Sequence, residues 1–162
     1  MAILAGTLLD SGYRAGLSGT DAGRAWFADE QLRVHALLNR VWPRALGTTP
    51  MGMARALTLR SHGRGVRYRW RLWRGRRDPL ADVLEAARAD WPVPMLIGGC
   101  IPRHWVLIVD APGGTLHCYE PSSGEVRTVD VSAVRRGRLG VLGYPRPFAF
   151  VVPRLESRSS TE

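Results

Sequence analysis

Residues 102–110 read Pro-Arg-His-Trp-Val-Leu-Ile-Val-Asp, the apolar composition of a buried strand that begins close to a histidine, His104. Asp-Ala-Pro-Gly-Gly follows at 110–114 as a turn, and the next apolar run ends in Tyr-Glu-Pro at 119–121. A hairpin of this kind brings His104 and Glu120 side by side. A thiol nucleophile needs such a pair, because imidazole accepts the thiol proton and a carboxylate holds the ring. We therefore predict a catalytic pair at His104 and Glu120.

The turn between these strands fixes which residues face each other. If residues 111–113 form a three-residue loop with glycine in the left-handed conformation, Asp110 faces Gly114. The pairs that follow on one face of this hairpin are Ile108 with Leu116, Val106 with Cys118, and His104 with Glu120. A two-residue turn would instead move the carboxylate off this face.

Hydrophobic periodicity and capping residues predict mainly helices in the first half of the chain and mainly strands in the second. The predicted helices are residues 1–9, 25–42, about 49–61, about 78–90, and one or two turns at 131–136. The predicted strands are residues 66–72, 93–97, 104–110, 115–120, 125–129 and 148–152. Helices followed by an antiparallel sheet describe an α+β architecture.

The chain has 162 residues, of which 45% are hydrophobic, and this length suits one compact domain. We assign residues 1–154 to that domain and residues 155–162 to a polar, disordered tail. Strand 66–72 alternates strictly between apolar residues and arginine, so we expect it near an exposed edge of the sheet.

The net charge of +9 raises an anionic partner as an alternative function. All 23 basic residues are arginine, and several of them lie on one side of strand 66–72 or directly after it, at Arg74, Arg76 and Arg77. A basic interaction module would use this arginine face to bind nucleic acid or another anion. The opposing interpretation is that these arginines are solvated and discourage pairing at the sheet edge.

The sequence lacks the features of membrane-spanning, disulfide-rich and cofactor-binding proteins. No apolar run approaches the roughly 18 residues of a membrane span, and the start of the chain lacks the features of a signal peptide, so we expect a cytoplasmic protein. Cys100 and Cys118 are too few for a disulfide scaffold and should be reduced. We expect no cofactor, because the chain has no metal-ligand cluster and no phosphate-binding glycine loop.

Three motifs in order give the chain a family resemblance. Pro-Val-Pro-Met-Leu-Ile-Gly-Gly at 92–99, Arg-His-Trp-Val-Leu-Ile-Val-Asp at 103–110, and Tyr-Glu-Pro-Ser-Ser-Gly at 119–124 are similar to the second half of papain-like cysteine peptidases of the bacteriocin-processing, double-glycine-leader branch. The resemblance covers about residues 49–152. It implies a papain-like fold with N-terminal helices packed on a C-terminal antiparallel β-sheet, and a peptide or protein as substrate or partner.

The same resemblance implies roles for the paired residues. His104 would shuttle the proton, and Glu120 would orient the ring from the position where the family usually has aspartate. The family's nucleophile is a cysteine at the start of the first helix, and no such residue exists here. Residues 2–9 resemble the continuation of that helix, so we expect a peptidase-like domain that is truncated or inactive. Cys100 is the weaker alternative nucleophile, and we expect Cys118 to be a small buried hydrophobic residue.

Overall fold

The computed structural model describes residues 48–155 together with Ala5, Leu8 and Leu9, which are helical. The helices are α1 (Pro50–Ser61), α2 (Ala81–Arg88) and α3 (Val131–Arg136), with short 3-10 turns at His62–Arg64, Gly75–Arg77 and Gly140–Leu142. The strands are β1 (Val66–Leu72), β2 (Val93–Gly98), β3 (Pro102–Asp110), β4 (Thr115–Glu120), β5 (Glu125–Asp130) and β6 (Arg146–Leu155). The predicted α+β architecture is confirmed.

Two of the predicted segments lie outside the residues that the structure describes. The predicted helix at 25–42 lies outside the described residues, as does the predicted disordered tail beyond residue 155. Leu155 itself is the last residue of β6 and pairs with Val66, so the ordered sheet runs one residue past the domain limit that we predicted.

The six strands form one sheet in the order β1-β6-β2-β3-β4-β5, and every neighbouring pair is antiparallel. β2 lies inside this sheet, and all six of its residues are buried, as its continuous apolar run requires. β1 is at one edge, which confirms the position expected from its alternating sequence. β3 and β4 are adjacent, so the hairpin that carries the predicted pair is formed.

Helices cover both faces of the sheet. The first face packs against α1 and against Ala5 and Leu9, and it includes Trp105 and Leu107 of β3. The second face packs against α2 and α3, and it includes the alternate β3 residues Val106 and Ile108. Since side chains alternate along a strand, His104 begins on the second face. In the described part of the chain, no helix is long and apolar enough to cross a membrane.

The first residues of α1 agree with the sequence prediction, whereas those of α2 do not. The threonine-proline pair at 49–50 is typical of a helix start, and Thr49 does cap α1, because its side-chain oxygen accepts the Gly52 N–H at 3.0 Å. Asp78 does not cap α2, which begins at Ala81. Its carboxylate instead accepts the backbone N–H of Leu80 at 3.0 Å, so it organises the loop before the helix.

The predicted register of the β3–β4 hairpin is wrong. Ile108 faces Cys118 instead of Leu116, and Asp110 faces His117 instead of Gly114, with a bulge between Ile108 and Asp110. The cause is the turn, because the segment from Ala111 to Leu116 joins the paired ends where we expected a three-residue loop.

The corrected register still leaves His104 and Glu120 on one face. The pairing of Ile108 moves by two positions along β4, from Leu116 to Cys118. An even displacement keeps each side chain on its original face, whereas a displacement of one would have reversed it. Continued along the strands, the observed register places Glu120 opposite Val106 and diagonal to His104, not directly opposite it as predicted.

Candidate active site at His104 and Glu120

His104 and Glu120 are in contact at one end of the sheet. His104 lies near the start of β3 and Glu120 is the last residue of β4, so the antiparallel pairing brings both to the same end. Nε2 of His104 lies 2.6 Å from Oε1 of Glu120. The contact predicted from the sequence is therefore present, although it crosses the hairpin diagonally.

The turn after β4 holds the Glu120 carboxylate. The backbone N–H of Ser122 donates to Oε1 at 2.9 Å, and that of Ser123 donates to Oε2 at 2.8 Å. Gly124 closes the turn with a positive φ of 73°, and its N–H donates to the Glu120 carbonyl oxygen at 2.8 Å. The Glu120 side chain is only 8% exposed. Both carboxylate oxygens are thus fixed by hydrogen-bond donors and are largely shielded from solvent.

These contacts determine the charge of Glu120. Burial raises the pKa of Glu120, but the hydrogen bonds from Ser122, His104 and Ser123, led by the Ser122 N–H, outweigh burial and lower the pKa from 4.5 to about 2. Glu120 is therefore ionised at neutral pH, and an ionised carboxylate can only accept hydrogen bonds.

The ionised carboxylate also fixes the tautomer of His104. Since Glu120 can only accept, Nε2 of His104 must carry the shared proton. In the neutral ring Nδ1 is then an unprotonated acceptor. Within the described residues, Nδ1 has no hydrogen-bond partner, and the His104 side chain is 21% exposed. The arrangement can accept a proton at Nδ1 while Glu120 stabilises the resulting cation.

An aromatic ring that the sequence analysis missed covers this imidazole. Tyr144 stacks on His104 with 5.7 Å between ring centroids and 30° between ring planes. It lies 40 residues along the chain from His104, in the segment between the last 3-10 turn and β6, and no motif links the two in the sequence. The backbone donors at Ser122 and Ser123 were also missed, although the Glu-Pro-Ser-Ser-Gly turn that presents them was recognised.

Neither cysteine is positioned as an activated nucleophile. Cys118 is fully buried on the His104 face of the sheet, as predicted, and burial raises its pKa to about 12. Cys100 is exposed in the turn between β2 and β3. Among the described residues, no thiol forms a hydrogen bond with His104. The imidazole of His117 lies outside this pair: it is partly exposed, and its Nδ1 lies 3.6 Å from Oδ2 of Asp110.

The arginine face of β1 differs from the prediction. Arg67 and Arg69 are exposed as expected, but the Arg71 side chain is only 10% exposed, and it contacts Asp78 at 2.7 Å. Conversely Trp70, which lies on the apolar side of this alternating strand, is 42% exposed. Arg71 departs from the pattern because it is neutralised by the carboxylates beside α2.

The positive charge of Arg71 is neutralised by two carboxylates, Asp78 and Asp82. Its Nε lies 2.6 Å from Oδ2 of Asp82, and its guanidinium lies 4.9 Å from the centre of the Phe150 ring. This arginine therefore links the edge strand to α2 and to the loop before it, and it is not part of an open cationic surface. In the described ranges, no group of three or more His, Cys, Asp or Glu side chains could hold a metal ion.

The sequence matches no protein-family model and no curated protein. Among solved structures, the chain is similar to the peptidase domain of Streptococcus ComA, a bi-functional ABC transporter involved in a quorum-sensing pathway. The identity is 15%, the similarity covers 93% of this chain and 90% of that chain, and the TM-score is 0.43.

Proposed function

We propose that this chain is a cysteine-peptidase-like domain that binds a peptide at the His104–Glu120 pair without hydrolysing it. The observation that supports the proposal is the 2.6 Å contact between Nε2 of His104 and an ionised, buried Glu120. Among the described residues, Nδ1 has no partner, so it can bind a ligand. This pair is the acid–base half of a thiol acyl-transfer site.

In a thiol peptidase, a histidine and a carboxylate of this kind transfer the proton during amide cleavage. In a complete site a thiol gives its proton to Nδ1, the thiolate attacks the amide carbon, and the imidazolium returns the proton to the leaving amine as the C–N bond breaks. Glu120 would hold the ring throughout. Here the sequence contains two cysteines, of which Cys118 is buried with a pKa of about 12 and Cys100 is not bonded to His104. The pair is thus left to donate and accept hydrogen bonds with a bound peptide.

The test is a binding measurement combined with a search for cleavage products. The probe is a fluorescein-labelled synthetic peptide containing a Gly-Gly pair, since the family resemblance implies that substrate class. We expect the full chain to bind it, with an affinity roughly ten- to 150-fold lower in His104→Ala, because losing a hydrogen bond to a charged pair costs roughly 1.5–3 kcal/mol. Mass spectrometry should show an intact peptide.

A matched control is available in His117→Ala, which removes an imidazole that also lies beside a carboxylate but outside the site. This variant should bind like the unmodified chain. Equal binding by the two alanine variants would contradict the proposal. Cleavage that is lost in Cys100→Ser would also contradict it and would identify Cys100 as a nucleophile.

Anion binding is a second candidate function, on a smaller surface than the sequence suggested. Arg74, Arg76 and Arg77 are exposed around the 3-10 turn after β1, and no ion pair involves them within the described residues. Salt-dependent retention on heparin that is lost when these three residues become glutamine would support this function, since phosphate and sulfate contacts weaken steeply with ionic strength. Retention that is unchanged would exclude this surface.

A further inference from the structure

The contact between His104 and Glu120 does not by itself fix the direction of Nδ1. One hydrogen bond at Nε2 holds one atom of the imidazole, and the ring can still pivot about that contact. A pivot swings Nδ1 through an arc on the far side of the ring. A site that uses Nδ1 therefore needs a second restraint, acting on the plane of the imidazole.

Tyr144 is placed to supply that restraint. Its ring lies over the face of the imidazole with 5.7 Å between centroids and 30° between planes. Offset stacking at this distance is a favourable aromatic geometry, and a ring on one face blocks rotation out of the plane. The two contacts on His104 are complementary, because Glu120 acts at the edge of the ring and Tyr144 acts on its face.

The segment that carries Tyr144 is itself held firmly. Leu142 is buried in the core between the sheet and α3, and the Leu139 N–H donates to the carbonyl oxygen of Pro145 at 2.9 Å. From the sheet, Nη1 of Arg127 donates to the Val141 carbonyl oxygen at 2.7 Å. The segment is thus fixed by the core on one side and by β5 on the other, so its tyrosine has a defined position.

We propose that Tyr144 is a positioning residue that fixes the plane of the His104 imidazole and thereby directs Nδ1 towards the bound ligand. The inference rests on the proposed function, which assigns the ligand contact to Nδ1. The flat ring carries this role and the hydroxyl does not, because the Tyr144 hydroxyl forms no hydrogen bond within the described part of the chain.

Three variants distinguish the effect of the flat aromatic ring from the effect of the apolar volume that the side chain fills. Tyr144→Phe keeps the flat ring, Tyr144→Leu keeps an apolar side chain without it, and Tyr144→Ala removes both. The first readout is the NMR order parameter of the His104 Cε1–H bond, which reports motion of the imidazole. We expect it to be unchanged in the phenylalanine variant and reduced in the leucine and alanine variants.

The second readout is affinity for the labelled Gly-Gly peptide. The dissociation constant should rise about two- to tenfold in Tyr144→Leu and by no more than about twofold in Tyr144→Phe, which is the range that one aromatic pair supports. A purely structural role would lower the melting temperature of the leucine variant and leave the order parameter of His104 as it was. That result would overturn the inference, and if the alanine variant does not fold, the leucine variant still decides.

The two proposals fail in different ways. If the unmodified chain does not bind the peptide, the proposed function fails, while the order parameter still shows whether Tyr144 restrains the ring. If the peptide binds but the imidazole is equally ordered in the leucine and phenylalanine variants, the role of Tyr144 fails and peptide binding stands.

Discussion

Replacing Glu120 with glutamine tests whether the charge of this carboxylate holds the site together. The carboxylate accepts hydrogen bonds from His104, from the Ser122 N–H and from the Ser123 N–H. Glutamine has nearly the same shape, but only one of its two terminal atoms can accept. Its amide nitrogen must therefore meet a donor, and at least one of the three contacts is lost.

The expected cost follows from the contacts that change. A hydrogen bond to a charged group contributes roughly 1.5–3 kcal/mol, against about 1 kcal/mol for a neutral one. Losing one such contact and weakening the others should lower the free energy of unfolding at pH 7 by about 3 kcal/mol. For a chain of this length, that corresponds to a fall in melting temperature of roughly 6–12 °C.

The stabilisation by the Glu120 carboxylate should depend on pH in a defined direction. The pKa of Glu120 is about 2 in the folded chain and 4.5 ordinarily, so folding favours the deprotonated form. The stabilisation is complete above the ordinary pKa and is lost as the pH falls towards 2. The difference in stability between the unmodified chain and Glu120→Gln should thus be constant from pH 5 to 8 and should shrink between about pH 4.5 and 2.

Urea unfolding followed by tryptophan fluorescence at a series of pH values measures this difference. Glu125→Gln is the matched control, because Glu125 pairs with Glu120 across the β4–β5 turn but is exposed, and its 3.3 Å contact with Arg127 is a surface ion pair. We expect the control to cost less than about 1 kcal/mol. Equal losses in the two variants, or a Glu120 effect that persists undiminished at low pH, would refute the reasoning.

Two further substitutions test the fold around the site by the same urea measurement. Arg71→Met should lower the free energy of unfolding by about 3 kcal/mol, since it leaves the buried Asp78 without its counterion, while the exposed Arg69→Met should cost under about 0.5 kcal/mol. Comparable effects would show that the buried ion pair does not stabilise the edge strand. Gly98→Ala should cost about 2 kcal/mol because its Cβ would overlap the carbonyl oxygen of Ile101, whereas a Cβ at Gly99 meets open space. A tolerated alanine at 98 would contradict the tight turn described between β2 and β3.

The sequence predicted those parts of the fold that depend on local periodicity. β1, β3 and β4 follow from alternating or continuous apolar runs bounded by turn residues, and α1 follows from the Thr49 cap with proline in the first turn. Each of these signals lies within about ten neighbouring residues. Interactions of that range are visible in a sequence without knowledge of the rest of the fold.

What the sequence did not predict depends on distant contacts. Arg71 has the spacing of a solvated strand residue, and only the folded chain brings Asp78, in the loop before α2, and Asp82, in the first turn of α2, to its guanidinium. Tyr144 reaches His104 through a segment fixed by the core and by β5. A pattern along the chain contains neither contact, because each one depends on how separate elements pack.

The pair at His104 and Glu120 was predicted despite a wrong register, and the reason is physical. The face of a strand residue depends only on whether its position is odd or even, so an error of two positions leaves the face correct. The contact itself then depends on side-chain reach. Diagonal neighbours in an antiparallel pair lie about 7–8 Å apart, further than direct partners. Glutamate is one methylene longer than the aspartate that the family resemblance implies, and this length allows Glu120 to meet His104 at 2.6 Å across the diagonal while the turn N–H groups hold its charge.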